Sequence, residues 1–204
     1  MKVSEIITGL LSSELSNTYL SALESSELNT KMLLWINQAL RDINLRVPII
    51  QKSHIYSLVD DSIDNGFTYL APPDYIGLLS AWNELGKPVS INSSTDPLSI
   101  FTAEQMKIII PYSTVGAKIS IVYQANPQIL VNVDEDLPVG QQFESIITNY
   151  IAIKALAGLE TQGKPVNLTY EQRYEKAISL LITSGMYNPD PIQDVTPFER
   201  GGWK

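Results

Sequence analysis

Between Thr30 and Leu45 the chain reads TKMLLWINQALRDINL, and this stretch limits the possible folds more than any other. On a wheel of about 100° per residue, Met32, Leu33, Ile36, Ala39, Leu40 and Ile43 share one sector with Trp35 at its edge. Lys31, Asn37, Gln38, Arg41 and Asn44 fall on the opposite side. The pattern predicts an amphipathic helix over 30–46, with the Thr30 hydroxyl as N-cap. Pro48 stops it, because proline lacks the N–H that a further turn needs and disfavours helix at Val47. A helix with one apolar face requires a partner, so the fold must supply other helices or a sheet to cover it.

The rest of the chain supplies both. Ile6, Ile7, Leu10, Leu11 and Leu15 recur at helical spacing over 4–15, with Ser4 as cap. Residues 17–28 are rich in Ser, Asn and Glu and read as an irregular connection. After Pro48 the texture changes to alternation and turns. His54–Val59 and Phe67–Leu70 are expected to form a hairpin closed at Asn65-Gly66. Tyr75–Trp82 reads as a strand that turns back through 83–88 towards Val89–Ile91, and 98–106 as one or two helical turns. Lys118–Gln124 carries the cleanest alternation, with Ile119, Ile121 and Tyr123 on one face, and is expected to pair with 106–112. Past Asp134-Glu135-Asp136 and Pro138, Phe143, Ile146, Ile147, Tyr150, Ile151 and Ala155 predict a helix over 139–160. The three carboxylates stand where they complement its positive end. Thr169 and Gln172 have the spacing of a capping box for a last helix over 169–184, with Tyr170, Tyr174, Ala177, Ile178, Leu181 and Ile182 as its stripe. The class is therefore α+β: a mainly helical bundle over 1–185 with a small antiparallel β-hairpin insertion at about 53–125, followed by an arm at 186–204.

The arm reads MYNPDPIQDVTPFERGGWK, and its three prolines within nine residues forbid a helix. Yet Tyr187, Ile192, Val195, Phe198 and Trp203 are large apolar groups that a solvated tail does not need. They either dock on another protein or fold back over their own domain.

Charge and composition exclude several functions. With 14 Lys and Arg against 22 Asp and Glu, the formal charge is −8, which disfavours nucleic-acid binding through clustered cations. Cysteine is absent, so no disulfide framework, thiolate metal site or cysteine nucleophile is available. The first residues carry Glu5 and no long apolar run, unlike a signal peptide or membrane span. His54 is the single histidine and lies in an alternating strand with no nucleophile signature nearby, so a structural role is expected. In Asp60–Gly66 the glycine falls one place late for a calcium loop, and Ala71 stands where the bidentate glutamate belongs. Gly163-Lys164-Pro165 lacks the other residues of a phosphate loop. No catalytic, cofactor or metal residue is identified.

The order of these segments, with WINQALRDI in the first long helix, YLAPPDYIGLL and ISIVYQANP in the strands, and NYIAIKAL and YEQRYEKAISLL in the later helices, resembles the head-to-tail adaptor, or head-completion, proteins of tailed bacteriophages. The resemblance spans residues 4–185. It implies a virion protein made in the host cytoplasm, assembling as a homo-oligomeric ring, a dodecamer, that joins portal to tail proteins. Genomic DNA would pass through the channel without sequence-specific binding, and no membrane or cofactor is involved. It further implies packing roles for Trp35, Ile36, Leu40, Tyr123 and Tyr150. Tyr187, Pro189, Ile192, Val195, Phe198, Arg200 and Trp203 would be the partner-binding residues of the arm. The competing readings are a tail-completion or stopper ring of the same virion, and a ligand-binding or hydrolase module built from scattered Asp, Glu and Tyr side chains.

Overall fold

The computed structural model describes residues 1–13, 15–16, 18–58, 67–96, 98–102, 106–110, 118–157, 160–161, 164–165 and 167–184. They form an α+β structure that divides into two compact units, one from residues 1–50 and the segment starting at 126, the other from residues 51–125. The first unit holds helices α1 (Val3–Ser12), α2 (Ser25–Arg46), α3 (Glu144–Ala155) and α4 (Leu168–Thr183). The second holds strands β1 (Gln51–Ser57), β2 (Phe67–Leu70), β3 (Tyr75–Asn83), β4 (Lys107–Ile110) and β5 (Lys118–Ala125).

In the first unit the stripe of α2 is buried as its spacing requires: Met32, Ile36, Ala39, Leu40 and Ile43 are all fully enclosed. The helix begins earlier than expected, at Ser25 after Glu24, so Thr30 is not its cap; the Thr30 hydroxyl donates to the Ser26 carbonyl inside the helix (2.8 Å). Leu28 extends the apolar stripe by one turn and a Glu27–Lys31 ion pair (3.0 Å) supports it, which is why the polar stretch at 25–28 is helical. Among its described residues the preceding connection contains a 3₁₀ turn at Tyr19–Ala22. Of the four helices, α3 touches each of the others. Ile146, Ile147, Ile151, Ala152 and Ala155 are buried around its circumference, the pattern of a helix with neighbours on several sides.

The remaining ends also differ from the sequence reading. Ser4 does not cap α1. Instead Val3 N–H donates to the Glu135 carbonyl (3.1 Å), Ser4 N–H to the Val133 carbonyl (2.9 Å) and Lys2 N–H to the Glu5 carboxylate (2.9 Å). This acidic segment thus meets the start of α1: the Glu135 carboxylate gathers the N–H groups of Val131 and Asn132 in its own turn while its carbonyl receives Val3, and Asp136 accepts from the N-terminal amine (3.5 Å). Helix α1 stops at Ser12, and Leu15 is buried beyond it as Leu15 N–H returns to the Leu10 carbonyl (2.9 Å). Helix α3 starts after a 3₁₀ turn at Gln141–Phe143 and ends at Ala155, short of 160, because Glu160–Thr161 (β6) pairs antiparallel with Lys164–Pro165 (β7). Thr169 lies inside α4 and forms no capping box; Asn167 is the cap residue and its amide donates to Glu171 (2.7 Å). Ile182, placed on the stripe by spacing, is exposed at the last turn.

Side chains read as solvated provide the polar ties of this unit. Asn37 makes two bonds to one residue: its amide donates to the Leu130 carbonyl and its oxygen accepts the Leu130 N–H, both at 2.9 Å. This pins an extended segment to α2 with Leu130 turned inward. Asn44, assigned to the polar side, is fully buried, and its oxygen accepts the Ile50 N–H (3.0 Å) just past the helix end. Helix α4 reaches α2 through a clamp. Tyr174 O–H donates to Asp42 (2.5 Å), while Arg46 donates to both oxygens of Glu175 (2.8 Å) and lies over the Tyr174 ring. Burial, and then the bond to Asp42, push the Tyr174 phenol well above its usual range.

In the second unit β5 is the centre of a three-stranded antiparallel sheet ordered β1-β5-β3, and β2 pairs with β4 in a separate two-stranded one. The expected hairpin of 54–59 with 67–70 does not form, since β1 pairs with β5 from Gln51↔Gln124 to Ser57↔Lys118. Nor does 106–112 pair with β5: β4 pairs with β2. The strand with the most regular alternation takes the position where both its edges are bonded, with Ile119, Ile121 and Tyr123 buried as predicted. β1 is joined to β2 by side chains in place of a ladder: Tyr56 O–H donates to the Leu70 carbonyl and Tyr69 O–H to the Ser57 carbonyl, each 2.9 Å. Their rings meet at a tilt of 34° with centroids 4.8 Å apart. Burial, reinforced by Tyr123 and Tyr75, pushes the Tyr56 phenol up to about 12.

Strand β3 turns back as expected through Asn83–Lys87, where Gly86 has φ +71° and the Asn83 side chain accepts the Leu85 and Lys87 N–H groups. The helical turns expected at 98–106 are not seen at 98–102. Ile100 and Phe101 are extended, bridging to Ile91 and Ile109, because Asn92 bonds both the N–H and the hydroxyl of Thr102 and holds that strand-like course. The Asn-Gly turn and the Asp60–Gly66 run lie outside the described residues, as do 111–117.

Two outcomes test this account. Asn37→Ala should cost about 1–3 kcal/mol in urea denaturation, because Leu130 would keep two buried backbone groups without partners, whereas Gln38→Ala should change little. Both Tyr56 and Tyr174 have raised folded pKa values, so their neutral forms stabilise the fold. That contribution is complete below the unfolded tyrosine value of about 10 and is lost as pH rises through the folded values. Stability measured from neutral pH into this alkaline window should fall, and the fall should flatten in the Tyr56→Phe and Tyr174→Phe double variant.

Candidate interaction surfaces

The register of the three-stranded sheet sorts its side chains into two faces of opposite character. On one, Lys52, His54 and Tyr56 of β1 stand beside Tyr123, Ile121 and Ile119 of β5, followed by Leu78, Ala81 and Asn83 of β3. This is the covered face, with Tyr56, Ala81, Ile119, Ile121 and Tyr123 buried. On its margin Lys52 pairs with Asp74 (2.5 Å), and Tyr123 O–H donates to the other oxygen of Asp74 (3.0 Å). The bond from Lys52, with that from Tyr123, lowers the Asp74 carboxyl, and the same contact raises the Lys52 amine. The pair is therefore mutually neutralised at physiological pH.

The other face alternates with the first by the two-residue period of a strand. Gln51, Ser53, Ile55 and Ser57 of β1 lie beside Gln124, Val122, Ser120 and Lys118 of β5, then Gly77, Ser80 and Trp82 of β3. None of these eleven residues is acidic, and Lys118 is the one charge. Ser53, Ser57 and Lys118 are exposed, Trp82, Val122 and Ser120 are half-buried, and Ile55 is 60% exposed. The lack of carboxylates and the presence of Trp82 are features this face shares with protein interfaces, and its four serines and two glutamines make it otherwise polar. Its sequence signal was present in the wetter side of Lys118–Gln124. The partners of that side come from strands 38 to 73 positions away, which no local pattern announces.

The residues singled out from sequence are dispersed. His54 lies on exposed β1 with its ring edge-on to Tyr56 (4.6 Å). Ile36, Leu40 and Tyr123 are buried, and Trp35 and Tyr150 pack at the margin of the first unit's core or, for Tyr150, against Tyr174 (5.5 Å). Tyr187, Pro189, Ile192, Val195, Phe198, Arg200 and Trp203 lie outside the described residues. Among the described residues no group of three or more His, Asp and Glu side chains is placed to hold a metal ion. No described helix is long and apolar enough to cross a membrane. Among the described residues outside the second unit, the exposed apolar side chains are Tyr19, Leu34 and Leu45 on or before α2, Ile129 and Val131 beside Leu130, and Leu168, Leu180 and Ile182 on α4.

No curated protein matches the chain at a significant level. A family model does match, that of the SU10 adaptor protein, over residues 1–193 and so through both units. The mixed α+β architecture matches what the resemblance to phage head-to-tail adaptors implied. The chain thus belongs to the SU10 adaptor protein family and is a structural adaptor of a bacteriophage virion.

Proposed function

We propose that this adaptor is a non-enzymatic ring protein of the head-to-tail junction, joining portal to tail proteins and continuing the DNA channel. The single observation that carries the reading is the family match across residues 1–193. The physical character of the chain supports it. A net charge of −8 offers phosphates few cations, so a channel lined by such a protein lets DNA slide without holding it. The arm at 186–204 carries Tyr187, Ile192, Val195, Phe198 and Trp203 on a proline-broken backbone, which suits a groove on another virion protein better than a helix of its own. Pro189 and Arg200 complete the proposed contact set.

A tail-completion or stopper ring would share these properties and differ in its partner. Mixing the full chain separately with portal and with tail proteins, and measuring complex formation by sedimentation, distinguishes the two. Capture by portal is the expected result, and binding to tail proteins alone would favour the stopper. Removal of 186–204 should leave a cooperatively folding protein with an unchanged melting temperature that no longer joins its neighbour. Loss of folding on that deletion would assign the arm to its own domain. Tight, salt-sensitive binding of the isolated chain to duplex DNA would contradict the sliding channel.

A further inference from the structure

We infer that the carboxylate-free face of the β1-β5-β3 sheet, with Ser53, Ile55, Ser120, Val122 and Trp82 at its centre and Lys118 at one end, is the seam on which a second copy of this chain seats. The inference rests on the ring reading above and names the surface that makes the ring.

Three observations converge on this face. The first is electrostatic. Each copy carries 22 carboxylates and a net −8, so two copies repel over most of any surface they share. A patch with Lys118 as its one charge and no acid is where that repulsion vanishes, and its sign is complementary to the acid-rich surface of the next copy. A ring contact joins two different patches of the same chain, so such complementarity between one face and another is what closure demands.

The second is the form of β1. It lies at the sheet edge and pairs with β5 through seven consecutive positions without a bulge, whereas β3 on the far side is interrupted twice. Natural edge strands are commonly protected by a bulge, a proline or a lysine. β1 has neither bulge nor proline, and its lysine is neutralised by Asp74 on the opposite face. The third is the chemistry of the face itself. Ile55 is 60% exposed on a strand, and Trp82 is half-buried two strands away in the same cross-strand row. The small serines between them let a partner approach closely, leaving the aromatic and the aliphatic group as anchors.

The test uses the full chain, its mass followed by native mass spectrometry and sedimentation over a range of concentrations, alone and with portal protein. Ile55→Glu and Ser53→Glu each place a carboxylate on an exposed position of the seam. Both should keep the wild-type circular dichroism and melting temperature while weakening self-association at least about tenfold. Leu180→Glu, at an equally exposed site on α4, should assemble normally. A photo-crosslinking side chain at position 53 should give covalent dimers. If both seam variants assemble like the wild type and position 53 forms no dimer, the seam is wrong and the ring stands on another surface. If the wild-type chain stays monomeric both alone and with portal protein, the ring reading itself falls and the seam with it.

Discussion

The first unit depends on covering one helix face. Met32, Ile36, Ala39, Leu40 and Ile43 expose a continuous apolar stripe that has no stable arrangement in water, and burying each such side chain is worth about 1.5–3 kcal/mol. Helix α3 meets that stripe, and because it also serves α1 and α4 it must be apolar on several sides. Once these helices are placed, their remaining polar groups are not ornaments. Asn37, Asn44 and the Asp42–Arg46–Glu175–Tyr174 clamp fix where the segment at 130, the exit past Val47, and helix α4 attach. Apolar burial provides the drive, while these few directional bonds select one arrangement among many with similar buried area.

The second unit solves a different problem with the same logic. Five short strands could pair in several ways, and hairpins between neighbours are the entropically cheapest. The structure instead centres β5, whose alternating side chains satisfy a covered and an open face at once, and accepts the longer loop closures. Tyrosine hydroxyls then join the two small sheets, so aromatic burial and backbone satisfaction are achieved by the same side chains. The residual consequence is a second sheet face whose character is set by what the first one did not need.

This division suits a part that works by fitting others. An adaptor must present defined surfaces to other virion proteins. The β1-β5-β3 sheet offers one such surface, a face whose side chains include no carboxylate.

Much of this was legible one residue at a time. The stripe of α2, the stop before Pro48, the alternation of Lys118–Gln124, the turn after β3 and the four helices are local consequences of 3.6- and 2-residue periodicity and of proline and glycine chemistry. Local rules failed where the deciding partner lay far along the chain. Thr30 and Ser4 looked like caps until distant or preceding residues supplied the turns and carbonyls, and Glu135 and Asp136 before Pro138 meet the N-terminus of α1. Asn44 counted as solvated because its wheel position says nothing of the chain folding back past Pro48. Strand partners and the carboxylate-free face belong to tertiary structure for the same reason: a strand's period states that it has two faces, and only the register across 35 or more intervening residues states which side chains share one.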